Sequence, residues 1–110
     1  MSKSGKVFIQ DKLVGQVWQD ENGYWFQYLK GYVSNPTMGP VSQTLPVRED
    51  AYHEERTLIP FFDGLIPEGW LLNIAVKNWK INEKDRMQLL LTVCKDCVGA
   101  VSISSKYNRR

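Results

Sequence analysis

A chain of 110 residues has the length of one domain and can bury a single core without disulfides or metal. Its content, 43% hydrophobic and 24% charged, is that of an ordinary globular protein and excludes a disordered chain. The net charge of +2 is spread along the sequence, so it supplies no basic stripe of the kind that reads nucleic acid.

The opening MSKSGKVFIQ has lysines but no apolar stretch behind them, so it is not a secretory signal. Apolar runs of only a few residues exclude a membrane-spanning helix. With two cysteines and no signal, the expected setting is the reducing cytoplasm, with thiols rather than a structural disulfide.

The first third is written for strands. Val7 to Gln10, Leu13 to Trp18 and Tyr24 to Leu29 are rich in β-branched and aromatic residues, which suit a pleated, half-buried surface. Asp11-Lys12 separates the first two, and DENG separates the second from the third. In DENG, Asn22-Gly23 is a hairpin signal because both residues tolerate positive φ. A three-stranded antiparallel meander is predicted. In its third strand Tyr24, Phe26 and Tyr28 share one face, and Trp25, Gln27 and Leu29 share the other.

Ser34 to Pro46, with three prolines and a glycine, is predicted to be loop, with a short extended edge piece at Val41 to Leu45. Asp50 to Glu55 reads as a charged loop. Thr57 is the expected N-cap of a short helix through Phe62, ending near Gly64. A second helix is expected from Pro67-Glu68 to about Trp79, since proline suits a first turn and an acid there suits the helix dipole. A third, capped by Asn82, is predicted to run to about Lys95, with Met87, Leu90, Leu91 and Cys94 on one face. Val98 to Ser104 completes the domain as a strand. The expected fold class is therefore α+β: a mostly antiparallel sheet that starts with the meander, about three helices packed on one side, and a final C-terminal strand. One domain is expected over residues 1–110, its core at about 7–104. Lys106, Arg109 and Arg110 are expected to form a short solvated tail.

Trp70 raises the sharpest question. Leu72, Ala75, Val76 and Trp79 make the apolar stripe of the second helix. At about 100° per residue, Trp70 falls roughly 160° from the centre of that stripe, with Ile74 beside it. Two readings stand. The Phe61-Phe62 turn can cover the indole, or Trp70 and Ile74 can anchor a partner, because an exposed aromatic offers large area at low entropic cost.

Other residues read as structural. Cys94 and Cys97 form a C-x-x-C, but a structural zinc needs four ligands. The pair lies at the end of a helix, where the dipole does not lower a thiol pKa. His53, alone among charges in DAYHEER, has no neighbouring nucleophile and reads as a solvated loop histidine. Glu49-Asp50 and Glu54-Glu55 lie in polar surroundings that do not raise a pKa for general acid work. No phosphate-binding glycine loop occurs. The chain is therefore expected not to be an enzyme and to need no cofactor or metal.

Three stretches, GPVSQTLP, FFDGLIPEGWLL and DRMQLLLTVCKDCVGAVSI, together resemble the N-terminal domain of HipA-type serine/threonine kinases, the toxins of bacterial toxin–antitoxin systems. The matching motifs fall on Ser42 to Pro46, Phe62 to Gly69 and Asp96 to Val101, and the resemblance spans about Val7 to Ser104. Cys94 stands where that family has a glycine. The sequence holds no kinase lysine with a phosphate loop, no catalytic aspartate loop and no magnesium-binding segment. A free-standing domain of this kind is similar to the HipS antitoxins of three-gene HipBST systems. The resemblance implies a direct partner, a HipT-type kinase, and a DNA-binding HipB-type protein in the larger complex, with no direct nucleic-acid or membrane contact. The expected partner face is Phe61, Phe62, Leu65, Glu68, Trp70 and Ile74. The alternatives are a non-inhibitory structural subunit, an excised fragment of a HipA-type kinase and, remotely, a small C-x-x-C redox or zinc protein.

Overall fold

The computed structural model describes residues 3–66, 85–93 and 101–105. Five strands, β1 (Lys3–Ile9), β2 (Lys12–Asp20), β3 (Gly23–Tyr28), β4 (Tyr52–Glu54) and β5 (Val101–Ser105), form one antiparallel sheet in the order β4-β3-β2-β1-β5. Three helices are described: α1 (Lys30–Ser34), α2 (Pro60–Asp63) and α3 (Arg86–Val93). The class is α+β, as the residue patterns predict. The expected helix over 67–79, the C-x-x-C pair and the basic tail lie outside the described residues.

Alternation decides which face of the sheet is buried. Val7, Ile9, Val17, Phe26, Tyr28 and Ile103 are all at most 5% exposed. A bulge sharpens the pattern, because the pairing jumps from Val7↔Gly15 to Phe8↔Leu13. Val14 is the extra residue; it is buried, and its carbonyl accepts the Leu29 N–H at 2.9 Å. Each helix adds to the same face. Tyr32 of α1 stacks on Tyr28 at 6.1 Å between ring centroids, and Phe62 of α2 meets Phe26 at 5.1 Å. Leu91 of α3 lies so close over Gly5 that a Cβ there would sit 2.5 Å from its Cδ2.

The first turn is Gln10-Asp11, with Lys12 already paired to Ile9. Gln10 is the one non-glycine residue with positive φ among those described, at 55°. The DENG turn closes on an Asp20↔Gly23 pair, so Glu21-Asn22 is its two-residue loop. Only Gly23 there uses the glycine-favoured region, at φ 130°. Its Cα faces β4 so closely that a Cβ would run into the Glu54 carbonyl oxygen.

Three other expectations change. The edge strand is Tyr52–Glu54 rather than Val41 to Leu45, which keeps only a Ser42↔Leu45 bridge. Thr57 is exposed and does not cap α2; the helix starts at Pro60 after buried Leu58 and Ile59. Proline is suited to a first turn because it lacks the N–H that would be orphaned there. Asp85 takes the role expected of Asn82 at the start of the third helix, its Oδ1 accepting the Gln88 N–H at 3.1 Å. Asp85 Oδ2 also pairs with Lys3 Nζ at 2.7 Å, tying α3 to β1.

Candidate partner-binding surface

The segment that follows β4 carries the described part of the expected partner face. Pro60 starts α2, a single turn that ends at Gly64. That turn sends Phe62 inward, where it is 0% exposed against Phe26 and edge-on to Phe61 at 5.1 Å. Phe62 is therefore a core residue and is withdrawn from the surface set. The reason is the phase of the turn: of two adjacent phenylalanines on one helical turn, only one can face the sheet. Phe61 and Leu65 are half-buried and pack at the margin of the core. Asp63 accepts from Arg86 Nε at 2.6 Å, which fixes α2 against α3. Glu68, Trp70 and Ile74 lie outside the described residues.

Phe61 also walls a groove of about 310 Å³ between α2 and the edge of the sheet. Leu45, Tyr52, Ile59 and Pro60 supply its other apolar walls, and Glu54 stands among its lining residues. Sequence patterns did not reveal this groove, because it joins residues from the proline-rich loop, β4 and α2.

Three tyrosine hydroxyls hold the loop that forms one wall. Tyr28 Oη donates to the Leu45 carbonyl at 2.5 Å and accepts the Val41 N–H at 3.0 Å. Burial pushes the Tyr28 hydroxyl up to about 12. Tyr32 Oη donates to the Gly39 carbonyl at 2.7 Å and accepts the Met38 N–H at 2.9 Å. Tyr52 Oη donates to the Pro46 carbonyl at 2.6 Å, while the Arg48 guanidinium lies 3.7 Å over the Tyr52 ring. Each of the three prolines removes one N–H from the loop, and the tyrosine hydroxyls supply part of its hydrogen bonding beside its own backbone turns.

The opposite face of the sheet carries an aromatic column. Trp18 and Trp25 stack at 5.9 Å, and Trp25 and His53 stack at 4.0 Å. His53, expected to be a free loop histidine, is thus an edge-strand residue, and its Nε2 lies 2.7 Å from the Asn22 carbonyl oxygen. Trp25 Nε1 donates to Asp20 Oδ1 at 2.9 Å. This bond, with help from the Asn22 N–H, holds the Asp20 carboxyl below its usual pKa. The column braces β2, β3 and β4 from the side away from the described helices.

Among the described residues no group of three or more His, Cys, Asp or Glu could hold a metal ion. Among the same residues no helix is long and apolar enough to cross a membrane.

The sequence matches the model of the HipA N-terminal domain over residues 5–104. The chain belongs to the HipA N-terminal domain family. A relative from Haemophilus influenzae strain Rd, an uncharacterized protein, is 33% identical over 104 residues, covering 94% of this chain and 93% of that one. A solved structure of the N-terminal domain of HipA toxin is 28% identical, with a TM-score of 0.68, and covers 97% of this chain and 95% of that one. The HipA N-terminal fold also occurs in the Shewanella oneidensis MR-1 complex of HipA, HipB and operator DNA. That match is 18% identical with a TM-score of 0.73. There the match covers 93% of this chain but only 24% of the other, so the domain corresponds to about a quarter of that longer chain.

Proposed function

We propose that this HipA N-terminal domain binds a HipT-type serine/threonine kinase toxin and neutralises it, as the antitoxin of a HipBST-type system that also includes a HipB-type DNA-binding protein. The observation that carries the reading is the match from end to end with the N-terminal domain of HipA toxin, 97% of one chain on 95% of the other. In a fused protein such a domain has a kinase core to pack against; supplied separately, it retains the surface with which to do so. The Haemophilus relative, matched over 93% of its length, supports the existence of domains of this size as separate proteins.

The partner face runs from the half-buried Phe61 and Leu65 on to Glu68, Trp70 and Ile74. Trp70 fills an apolar pocket on the kinase, and Glu68 pairs with a basic group. Loss of a tryptophan anchor typically costs at least ~2 kcal/mol of binding, about 30-fold in Kd. Trp70→Ala is therefore expected to restore growth arrest in cells co-expressing this protein and the kinase encoded beside it. Growth equal to that with the wild-type pair would remove Trp70 from the interface. A kinase assay with and without this protein separates inhibition from the alternative of a structural subunit or excised fragment, which leaves the rate unchanged.

A further inference from the structure

The groove beside Phe61 lies beside β4, the edge strand among the described residues, and the backbone there has a definite polarity. In an antiparallel sheet, successive residues of a strand direct their N–H and C=O groups alternately to one neighbour and the other. The two-residue loop closes on the pair Asp20↔Gly23, and Leu29 donates its N–H to Val14 of β2. Both place the odd-numbered residues of β3 toward β2, so Tyr24 and Phe26 turn toward β4. Their partners Glu54 and Tyr52 point inward, and His53, opposite Trp25, directs its N–H and C=O outward. Among the described residues β4 has a strand neighbour on one side only.

The edge has a charge as well as a shape. The chain carries +2 overall, yet Glu49, Asp50, Glu54 and Glu55 place four acids in seven consecutive positions, and all four are exposed. Arg48 and the exposed Arg56 offset two of these four charges and leave residues 48–56 with a net −2, with the Arg48 guanidinium held at the Tyr52 ring and the carbonyls of Asp50 and Ala51. The groove is also continuous with the partner face, because Phe61 belongs to both.

We propose that β4 receives an extended, basic segment of the partner kinase as an added strand, bonded to the His53 backbone, with an apolar side chain in the groove and Lys or Arg beside Glu54 and Glu55. This rests on the kinase-partner reading above and gives it a second contact, independent of Trp70. Strand addition supplies affinity through the main chain and selectivity through the pocket. The short β4 limits the pairing to a few bonds, and the acidic rim selects the charge of the segment.

The test uses the full chain and the kinase encoded beside it, with affinities measured by calorimetry at two salt concentrations. His53→Pro deletes the outward N–H at an edge position that tolerates proline and should weaken binding about tenfold, the equivalent of one lost hydrogen bond. His53→Ala keeps the N–H and should bind within about threefold of wild type. Glu54→Lys with Glu55→Lys, a surface change that leaves the core intact, should weaken binding by more than about tenfold and flatten its salt dependence. Amide exchange at His53 should slow in the wild-type complex. Equal loss in His53→Ala and His53→Pro would assign the contact to the ring and overturn strand addition. Unchanged binding in the lysine pair would overturn it too, leaving the kinase reading intact. Dimerisation of the free chain that His53→Pro abolishes would give the edge to a second copy instead. Failure of the wild-type chain to bind the kinase would overturn both.

Discussion

Tyr28 shows how one hydroxyl can organise a loop. It serves the Val41 N–H and the Leu45 carbonyl at once, two groups that the prolines around them leave without sheet partners. Tyr28→Phe keeps the ring stack but strands both groups, and a buried unsatisfied polar group costs about 1–3 kcal/mol; urea denaturation should show that loss. The hydroxyl also sets an alkaline limit. Its ionisation is pushed from 10.0 up to about 12 by burial, so between these values the unfolded chain releases a proton that the folded chain keeps. Stability is then full below pH 10 and falls as pH rises toward 12, a slope that Tyr28→Phe should lack. The two phenylalanines of α2 divide in the same way between fold and surface. Phe62→Ala, at a 0% exposed site, should cost about 3–5 kcal/mol. Phe61→Ala should leave most of the stability in thermal melts and weaken kinase binding instead. Adjacency in the sequence hid this difference, because a single helical turn is too short to display a periodic stripe.

At the scale of elements, the β1–β3 meander was legible because alternation and turn residues agreed over three runs. β4 was not legible: Tyr52, His53 and Glu54 sit among charges, and what makes them a strand is their backbone pairing with Phe26, Trp25 and Tyr24 of β3. A segment of three residues has no pattern of its own. α1 escaped notice for a related reason, since Lys30–Ser34 contains Gly31 and has no side-chain cap; Tyr32 is drawn inward by the core and by the bonds it makes to the loop. The dependence of β4 on Gly23 can be tested. Gly23→Ala places a Cβ against the Glu54 carbonyl at a φ of 130°, which side chains rarely adopt, and strain of this kind costs about 1–3 kcal/mol. Hydrogen exchange should find the β3–β4 pairing loosened while β1–β2 amides keep their protection.

On the scale of the whole molecule, one face of the sheet carries the described helices and the core, and the other carries the tryptophan column. The class, the meander, the closing strand and Met87, Leu90 and Leu91 of α3 could be read from spacing, because burial imposes a period on each, whereas Leu89, also 0% exposed, falls outside that period. The candidate surface was legible only in part. Phe61 and Leu65 came from the sequence segment, but the groove depends on three segments meeting, and no linear pattern encodes that. The strand order β4-β3-β2-β1-β5 has a further consequence in time. β1 lies inside the sheet, and its second neighbour is β5, 92 to 100 positions later: Ile9 pairs with Val101 and Gly5 with Ser105. Contacts at such separation close slowly, so during translation β1 has one edge filled by β2 and the other waiting. The hairpins can form early, whereas the sheet reaches its full width only after residue 105 is available. The kinase partner proposed above, in recognising the assembled sheet, therefore binds only once residues 101–105 have been translated and paired.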